Sequence, residues 1–352
     1  MSEGLPEGTK EKIVLPTLSV EDAFDMLCIR AGEGGRDEKL FGGCIPRARQ
    51  LFRPFVIGNR FPTVFLECPL AGVPFLDMTV LYGRLPEGCV VKSKYAEGCD
   101  ELFRLYGRMK QDHPDICFGF ELDTSKEEPG TAAVHLEPRD HIEVVEPFCE
   151  AIGEARYAKL YLQTAAKLAD TMPPSFFGMF KGRSDAPLRV CGYLGREEMD
   201  GIINDRDFLL NFFKAVGFTA YDDAMVDEIV KLMQIVPCET DYQFDIYPDG
   251  KAGEVFSIDL RLNEQAAASV RKSFESGDAA KIMSHFSKLG IADDRISMLS
   301  EMATSLAFPS IDENGEITGR AMVIYPMWLK IRWKGAHLQN AKCYSLLNSG
   351  RI

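Results

Sequence analysis

Lys330, Arg332, Lys342 and Tyr344 stand in the stretch YPMWLKIRWKGAHLQNAKCYSLL, residues 325–347, spaced by two within each of two strand-like runs. Successive strand residues alternate sides. Trp328, Lys330 and Arg332 therefore share one face, and Leu329, Ile331 and Trp333 the other. Lys342 and Tyr344 likewise share a face. Neighbouring guanidinium and ammonium groups are suited to holding an anion with several oxygens. Such a face belongs either to an edge hairpin facing water or to the wall of an enclosed, anion-binding interior.

Both settings need elements to carry them, and the chain supplies strands in pairs. TVFLECPL (63–70) and FLDMTVLYG (75–83) come first, followed by a helical segment at 97–111. ICFGFELD (116–123) and TAAVHLEP (131–138) flank a charged Pro-Gly loop and lead into helical segments at about 141–152 and 154–171. SFFGMFKG (175–182) and LRVCGYL (188–194) precede helices at 196–216 and 222–235. DYQFDIYPDG (241–250) and EVFSIDLRL (254–262) meet at PDGKAGE, a strong hairpin turn. Helical stretches at 264–289 and 295–307 then lead to the pair in 325–347. Ahead of all this, Ser19 with Glu21 and Asp22 predicts a helix start, Gly32–Gly35 its end, and 48–52 a further helical piece.

The rhythm is ten strands in five consecutive pairs separated by helices, an α+β pattern with helices covering one side of an antiparallel sheet. Closed into a barrel, ten strands leave a lumen wider than side chains easily fill. No Pro/Gly/Ser-rich linker divides the chain, so residues 1–352 read as a single domain, with 1–60 a helical lead-in and 61–350 the barrel.

One set of strand faces is apolar: Val134 and Leu136, Val190 and Leu194, Phe244 and Ile246, Phe256, Ile258 and Leu260. The opposite set collects Phe65, Glu67, Ala133, His135, Glu137, Phe177, Met179, Lys181, Arg189, Cys191 and Tyr193. It continues through Gln243, Asp245, Tyr247, Ser257, Asp259 and Arg261 to Lys330, Arg332, Lys342 and Tyr344. In an open sheet this is a wet face. In a closed one, the cations Lys181, Arg189, Arg261, Lys330, Arg332 and Lys342 share a chamber and require anions, for which a diphosphate is a natural counter-charge.

Five strand pairs, interleaved helices, the Lys342-Cys343-Tyr344 strand and the paired-basic Lys330-Ile331-Arg332 strand resemble the ABBA-type aromatic prenyltransferases, over roughly residues 60–350. The resemblance implies transfer of a prenyl group from an allylic diphosphate, dimethylallyl or geranyl, to an electron-rich aromatic acceptor such as an indole or phenol, free or within a peptide. It implies that the six cations hold the diphosphate and that Tyr193, Tyr247 and Tyr344 shield the allylic cation. Glu67, in VFLEC, matches the glutamate that meets the acceptor's N–H, and His135 and Glu137 are its lesser helpers. Magnesium is possible, with no dedicated metal cage. The alternatives are a non-catalytic barrel binding an anionic or amphipathic small molecule, and an open-sheet partner-binding protein.

Composition narrows the field. A formal net charge of -13 argues against a nucleic-acid-binding surface. Ten cysteines without a C-x-x-C pair, five histidines without metal-ligand spacing, and a polar first dozen residues suit the reducing cytoplasm. No run of 18 apolar residues reads as a membrane span. YDDAMVDE (221–228) lacks the acid at Val226 that an aspartate-rich metal motif needs, and its acids suit a helix start. DENGEITG (312–319) reads as a turn, since it lacks full calcium-loop spacing.

Overall fold

The computed structural model describes residues 17–57, 61–83, 91, 93, 96–97, 99–124, 133–180, 185–235, 239–262, 267–311 and 315–351. Its strands are β1 (Thr63–Pro69), β2 (Asp77–Tyr82), β3 (Cys117–Asp123), β4 (Ala133–Glu137), β5 (Phe176–Phe180) and β6 (Leu188–Leu194). They continue as β7 (Thr240–Ile246), β8 (Ala252–Arg261), β9 (Thr304–Ile311), β10 (Ile317–Lys334) and β11 (His337–Arg351). Each of β1 to β7 pairs antiparallel with the next, β8 with β10, β10 with β11, and β11 with β1. That circuit closes a ten-stranded barrel, as the sequence pattern predicts.

β9 is a departure, because the stretch expected to be helical through 307 turns extended at Thr304. β10 is long enough for two jobs. Its first half, Ile317–Ile324, pairs with β9, and its second half, from Trp328, pairs with β8. The exchange falls at a bulge between Pro326 and Trp328, where proline's missing N–H leaves the ladder unharmed.

Antiparallel register places the hairpin connections at one end of the barrel, here the upper, and the helical connections at the lower. At the upper end Gly250, with φ of 83°, closes the turn after β7, its N–H donating to Tyr247 O at 2.8 Å. Gly335 (φ 59°) turns β10 into β11.

The outward strand faces bury against the helices. Phe212, on the helix Arg206–Val216, meets Tyr242, Phe244 and Phe256 with ring centroids 4.9, 5.7 and 6.3 Å away. Tyr106, on the helix Asp100–Asp112, meets Phe118 at 4.5 Å. β5 corrects the sequence pattern: Phe177 and Met179 face the helices. Phe177 packs 4.4 Å from Tyr161, and Met179 Sδ lies 3.9 Å from Cys149 Sγ. The parity of β5 is thus reversed, with Phe176, Gly178 and Phe180 turned inward.

Near the N-terminus, the Ser19 hydroxyl caps the helix Val20–Gly32 by accepting from Asp22 N at 3.0 Å. Leu18 N donates to Pro309 O on β9 at 3.0 Å, which ties the lead-in to the C-terminal strands. Among the described residues no helix is long and apolar enough to cross a membrane.

Candidate active site

The lumen is divided into two cavities by a polar girdle. Glu67, Glu121, Arg189, Gln243, Lys330 and Tyr344 line both. The lower cavity, about 130 Å³, adds aromatic and apolar walls from Phe65, Leu81, Phe176, Tyr193 and Trp328. The upper, about 80 Å³, adds Asp245, Ser257, Arg332 and Lys342. Charge is distributed unevenly. The lower cavity carries five carboxylates (Glu67, Glu121, Glu137, Asp241, Asp259) against Arg189 and Lys330. The upper carries three (Glu67, Glu121, Asp245) against Arg189, Lys330, Arg332 and Lys342.

Register explains the girdle. Lys330 on β10 lies directly opposite Asp259 on β8 and Lys342 on β11. Its ammonium donates to Gln243 Oε1 and to Tyr344 Oη (3.2 Å), and stands 3.6 Å from Asp259 Oδ2. Lys342 pairs with Glu67, lies 3.8 Å from Asp77, and sits 5.1 Å from the centre of the Phe75 ring. Burial works against its charge, but Glu67 outweighs that and raises its pKa. Arg189 reaches Asp245 at 3.4 Å and Glu121 at 3.7 Å, with Phe180 5.5 Å away.

His135 contacts Glu121 at 3.2 Å. Its ring occupies the space left by Gly178 on the neighbouring strand, where a Cβ would lie 2.6 Å from it. Burial opposes ionisation of Glu121, yet the hydrogen bond from His135 and the nearby Arg189 hold its carboxyl below the usual range.

The acids without such support move the other way. Burial, reinforced by Glu67, pushes Asp77 up to about 8. Burial also raises Asp241, with Asp259 adding repulsion. Asp259 and Glu137 are raised by burial despite Lys330 and Arg139 beside them. The phenol of Tyr344 is pushed far above its ordinary value by burial and by Glu67.

The residues expected from the sequence thus divide. Glu67, Arg189, Lys330 and Tyr344 meet at the girdle, Lys342 lines the upper cavity, and Arg332 lines the upper cavity and the open mouth above it. Tyr193 lines the lower cavity, 42% exposed, donating to Glu137 Oε1 at 3.0 Å.

Two expectations are corrected. Arg261 lies at the lower end of β8, pairs with Glu239 and lines neither cavity, because two alternation steps separate it from Ser257 and the upper cavity. Tyr247 falls past the last residue of β7, in the turn at the mouth, where it is 43% exposed. Lys181 lies outside the described residues.

The expectation of bare cations awaiting an anion is also corrected, since Arg189, Lys330 and Lys342 each have a carboxylate of the chain itself. Residues missed are Asp77, Glu121 and Asp241. Asp241 was recoverable by extending the Gln243/Asp245 alternation one step back. Glu121 and Asp77 sit in runs recognised as strands, but Gly119 and Thr79 blur their inward faces.

Magnesium favours oxygen ligands. The upper carboxylates are engaged, Glu67 by Lys342 and both Glu121 and Asp245 by Arg189, and do not fit a magnesium cage. Among the described residues the one group of three His, Cys, Asp or Glu with suitably close ligand atoms is His113, His141 and Glu143, outside the chamber.

A barrel closed by five hairpins, walled by helices and polar within, defines the ABBA-type prenyltransferase fold. A solved structure, 5-dimethylallyltryptophan synthase from Streptomyces coelicolor, aligns over 95% of this chain and 98% of its own at a TM-score of 0.50 and 10% identity. NotF prenyltransferase aligns over 94% and 93%, with 12% identity and a TM-score of 0.47. No protein-family model matches the sequence, and no curated protein matches it.

Proposed function

We propose that the barrel transfers a prenyl group from an allylic diphosphate to an electron-rich aromatic acceptor. The observation carrying this reading is the polarised lumen: a compartment rich in cations opens through a tyrosine-bearing girdle onto an aromatic one. The diphosphate takes the upper cavity, held by Arg189, Lys330, Arg332 and Lys342. Its hydrocarbon crosses the girdle beneath Tyr344, and the acceptor occupies the lower cavity.

Cleavage of the allylic C–O bond sends its electron pair to a diphosphate oxygen, where the cations stabilise the growing charge. The allylic cation is sheltered by the Tyr344 ring. A ring carbon of the acceptor attacks, and Glu67 takes the ring proton, restoring aromaticity. Closure of the barrel keeps out water that would quench the cation.

Lower-cavity volume bears on size. About 130 Å³ is close to the ~150 Å³ of a cavity that admits benzene. The short dimethylallyl group therefore suits the lumen better than a geranyl chain.

The trial is incubation with dimethylallyl or geranyl diphosphate and a panel of indoles, phenols and peptides containing them, read by mass spectrometry. A gain of one prenyl unit is expected, larger in amount with dimethylallyl diphosphate. Recovery of unmodified acceptors across the panel, with pyrophosphate failing to bind, rejects the reading.

A further inference from the structure

The acidic lower cavity has a feature that prenyl transfer does not use. Asp241 on β7 and Asp259 on β8 stand directly opposite one another, and both line the lower cavity. They are 7% and 6% exposed. Like charges directly opposite across a strand pair destabilise a sheet. Burial aggravates the conflict, because an isolated carboxylate loses its hydration.

The other lower-cavity acids have their charge met inside the chain. Glu67 has Lys342, Glu121 has Arg189 and His135, and Glu137 has Arg139 at 2.8 Å. The opposed pair shares its cover: Lys330 stands beside Asp259, and Arg261 and Lys330 act on Asp241 through space, so two acids draw on cations that are also engaged elsewhere. Asp259 Oδ2 accepts from Gln243 Nε2 at 3.1 Å and lies 3.6 Å from Lys330, while Asp259 Oδ1 is buried without a hydrogen-bond partner. Around the pair stand aromatic surfaces: Phe65 and Trp328 with centroids 4.9 Å apart, Phe176 and Tyr193 5.5 Å apart. Burial and mutual repulsion favour a proton on the pair, which an incoming organic cation displaces, and the aromatic faces lining the same cavity attract that cation as well.

We infer that Asp241 and Asp259 form a binding site for a cationic nitrogen group, an ammonium or a guanidinium, carried by the acceptor. This deepens the function proposed above and rests on its reading of the lower cavity as the acceptor chamber. The acceptor is then a basic molecule, either an aromatic amine or a peptide presenting a basic side chain. The same charge gradient sorts the two substrates: cations of the upper cavity draw the diphosphate, and acids of the lower cavity repel it and draw the acceptor.

The test is equilibrium binding by calorimetry to the full-length protein with matched probes. Tryptamine is compared with 3-ethylindole, and arginine blocked at both ends with equally blocked citrulline. At least one cation is expected to bind about tenfold or more tighter than its neutral partner, the scale of one charge-assisted contact. Preference for tryptamine identifies the aromatic amine as the source, and preference for blocked arginine the basic side chain. Asp241→Asn and Asp259→Asn are each expected to abolish that preference while inorganic pyrophosphate binds no more than about threefold weaker, and tighter in Asp259→Asn where Lys330 is freed, which reports an intact barrel. Equal binding of cations and neutral partners overturns the inference, as does a preference that survives both substitutions. The wild-type comparison decides even if a variant does not fold. A cation preference without pyrophosphate binding or prenyl transfer leaves this site standing and rejects the proposed function, so the two fail separately.

Discussion

Replacing Asp77 by Asn is expected to stabilise the protein at alkaline pH and leave it unchanged in acid. Asp77 is one of the barrel's buried acids, its carboxyl pushed from an ordinary 3.8 up to about 8 by burial and by Glu67. A folded-state pKa raised above the unfolded value means that the folded chain keeps this proton where the unfolded chain has lost it. Stability from the group is therefore complete below about pH 3.8 and is lost as pH rises to about 8. At roughly 1.4 kcal/mol per unit, the shift corresponds to a cost of about 6 kcal/mol at pH 9. Asparagine cannot ionise and escapes that cost, which is already net of the Lys342 contact at 3.8 Å because that contact pulls the carboxyl's pKa down. The net expectation is a variant more stable by several kcal/mol, up to about 6, at pH 9 and equal to wild type near pH 4. Urea unfolding of both proteins across pH 4–9 reads the difference directly, and titrations common to the two largely cancel. An Asn variant no more stable than wild type at pH 9 would refute the reasoning about the Asp77 environment.

Glu67→Gln is expected to cut prenyl transfer by about 100-fold, the scale of a lost general base, while pyrophosphate binding tightens because Lys342 loses its internal partner. Single-turnover kinetics beside calorimetry separates the two effects, and weaker pyrophosphate binding refutes the assignment. Arg332→Ala should weaken pyrophosphate about tenfold with little change in stability, whereas Arg261→Ala should leave binding within about twofold, since Arg261 faces Glu239 at the lower end. Equal losses in both variants contradict the division of the lumen. Gly192→Ala should destabilise by about 1–3 kcal/mol, because the new Cβ would lie 2.4 Å from the Tyr242 ring, which is anchored through its hydroxyl to Met172 O at 2.6 Å. Thermal and chemical unfolding measure that, and an unchanged midpoint shows that Tyr242 can yield.

The barrel was legible because its signal is repeated. Alternation in five hairpins separated by helix-forming sequence revealed ten strands and their order, and the Pro-Asp-Gly turn set one register. What alternation could not resolve was parity in a strand whose two faces are both apolar. Phe176 and Phe177 are adjacent and similar, and only Tyr161 and Phe148 on the covering helices decide which one faces out. β9 was hidden for a related reason. TSLAFPSI follows a true helical turn, and its extended form is specified by the far-off partner Ile317–Ile324 and not by local preference. Arg261 shows a third limit. Its parity was read as inward, and Trp328 opposite it does line the chamber, but position along the barrel axis depends on stagger between strands. Glu67, Lys330 and Lys342 came together as expected because they lie on strands adjacent through β11 in the closed circuit.

Closure also decides how the charges work. In an open sheet, Arg189, Lys330 and Lys342 would be hydrated and their acids irrelevant to ligand binding. Inside the barrel each cation is held by a carboxylate, so a diphosphate must compete with Glu67, Asp245 and Asp259 for the same donors. Competition of this kind lowers affinity but keeps three buried cations from costing the fold their full desolvation when no donor is bound. It also supplies a proton ledger for the reaction. In the proposed reaction, diphosphate taking Lys342 would release the Glu67 carboxylate from its ion pair as the acceptor ring is about to shed a proton. Gln at position 67 breaks that coupling on both sides, which is why tighter pyrophosphate binding and slower transfer are expected together in one variant.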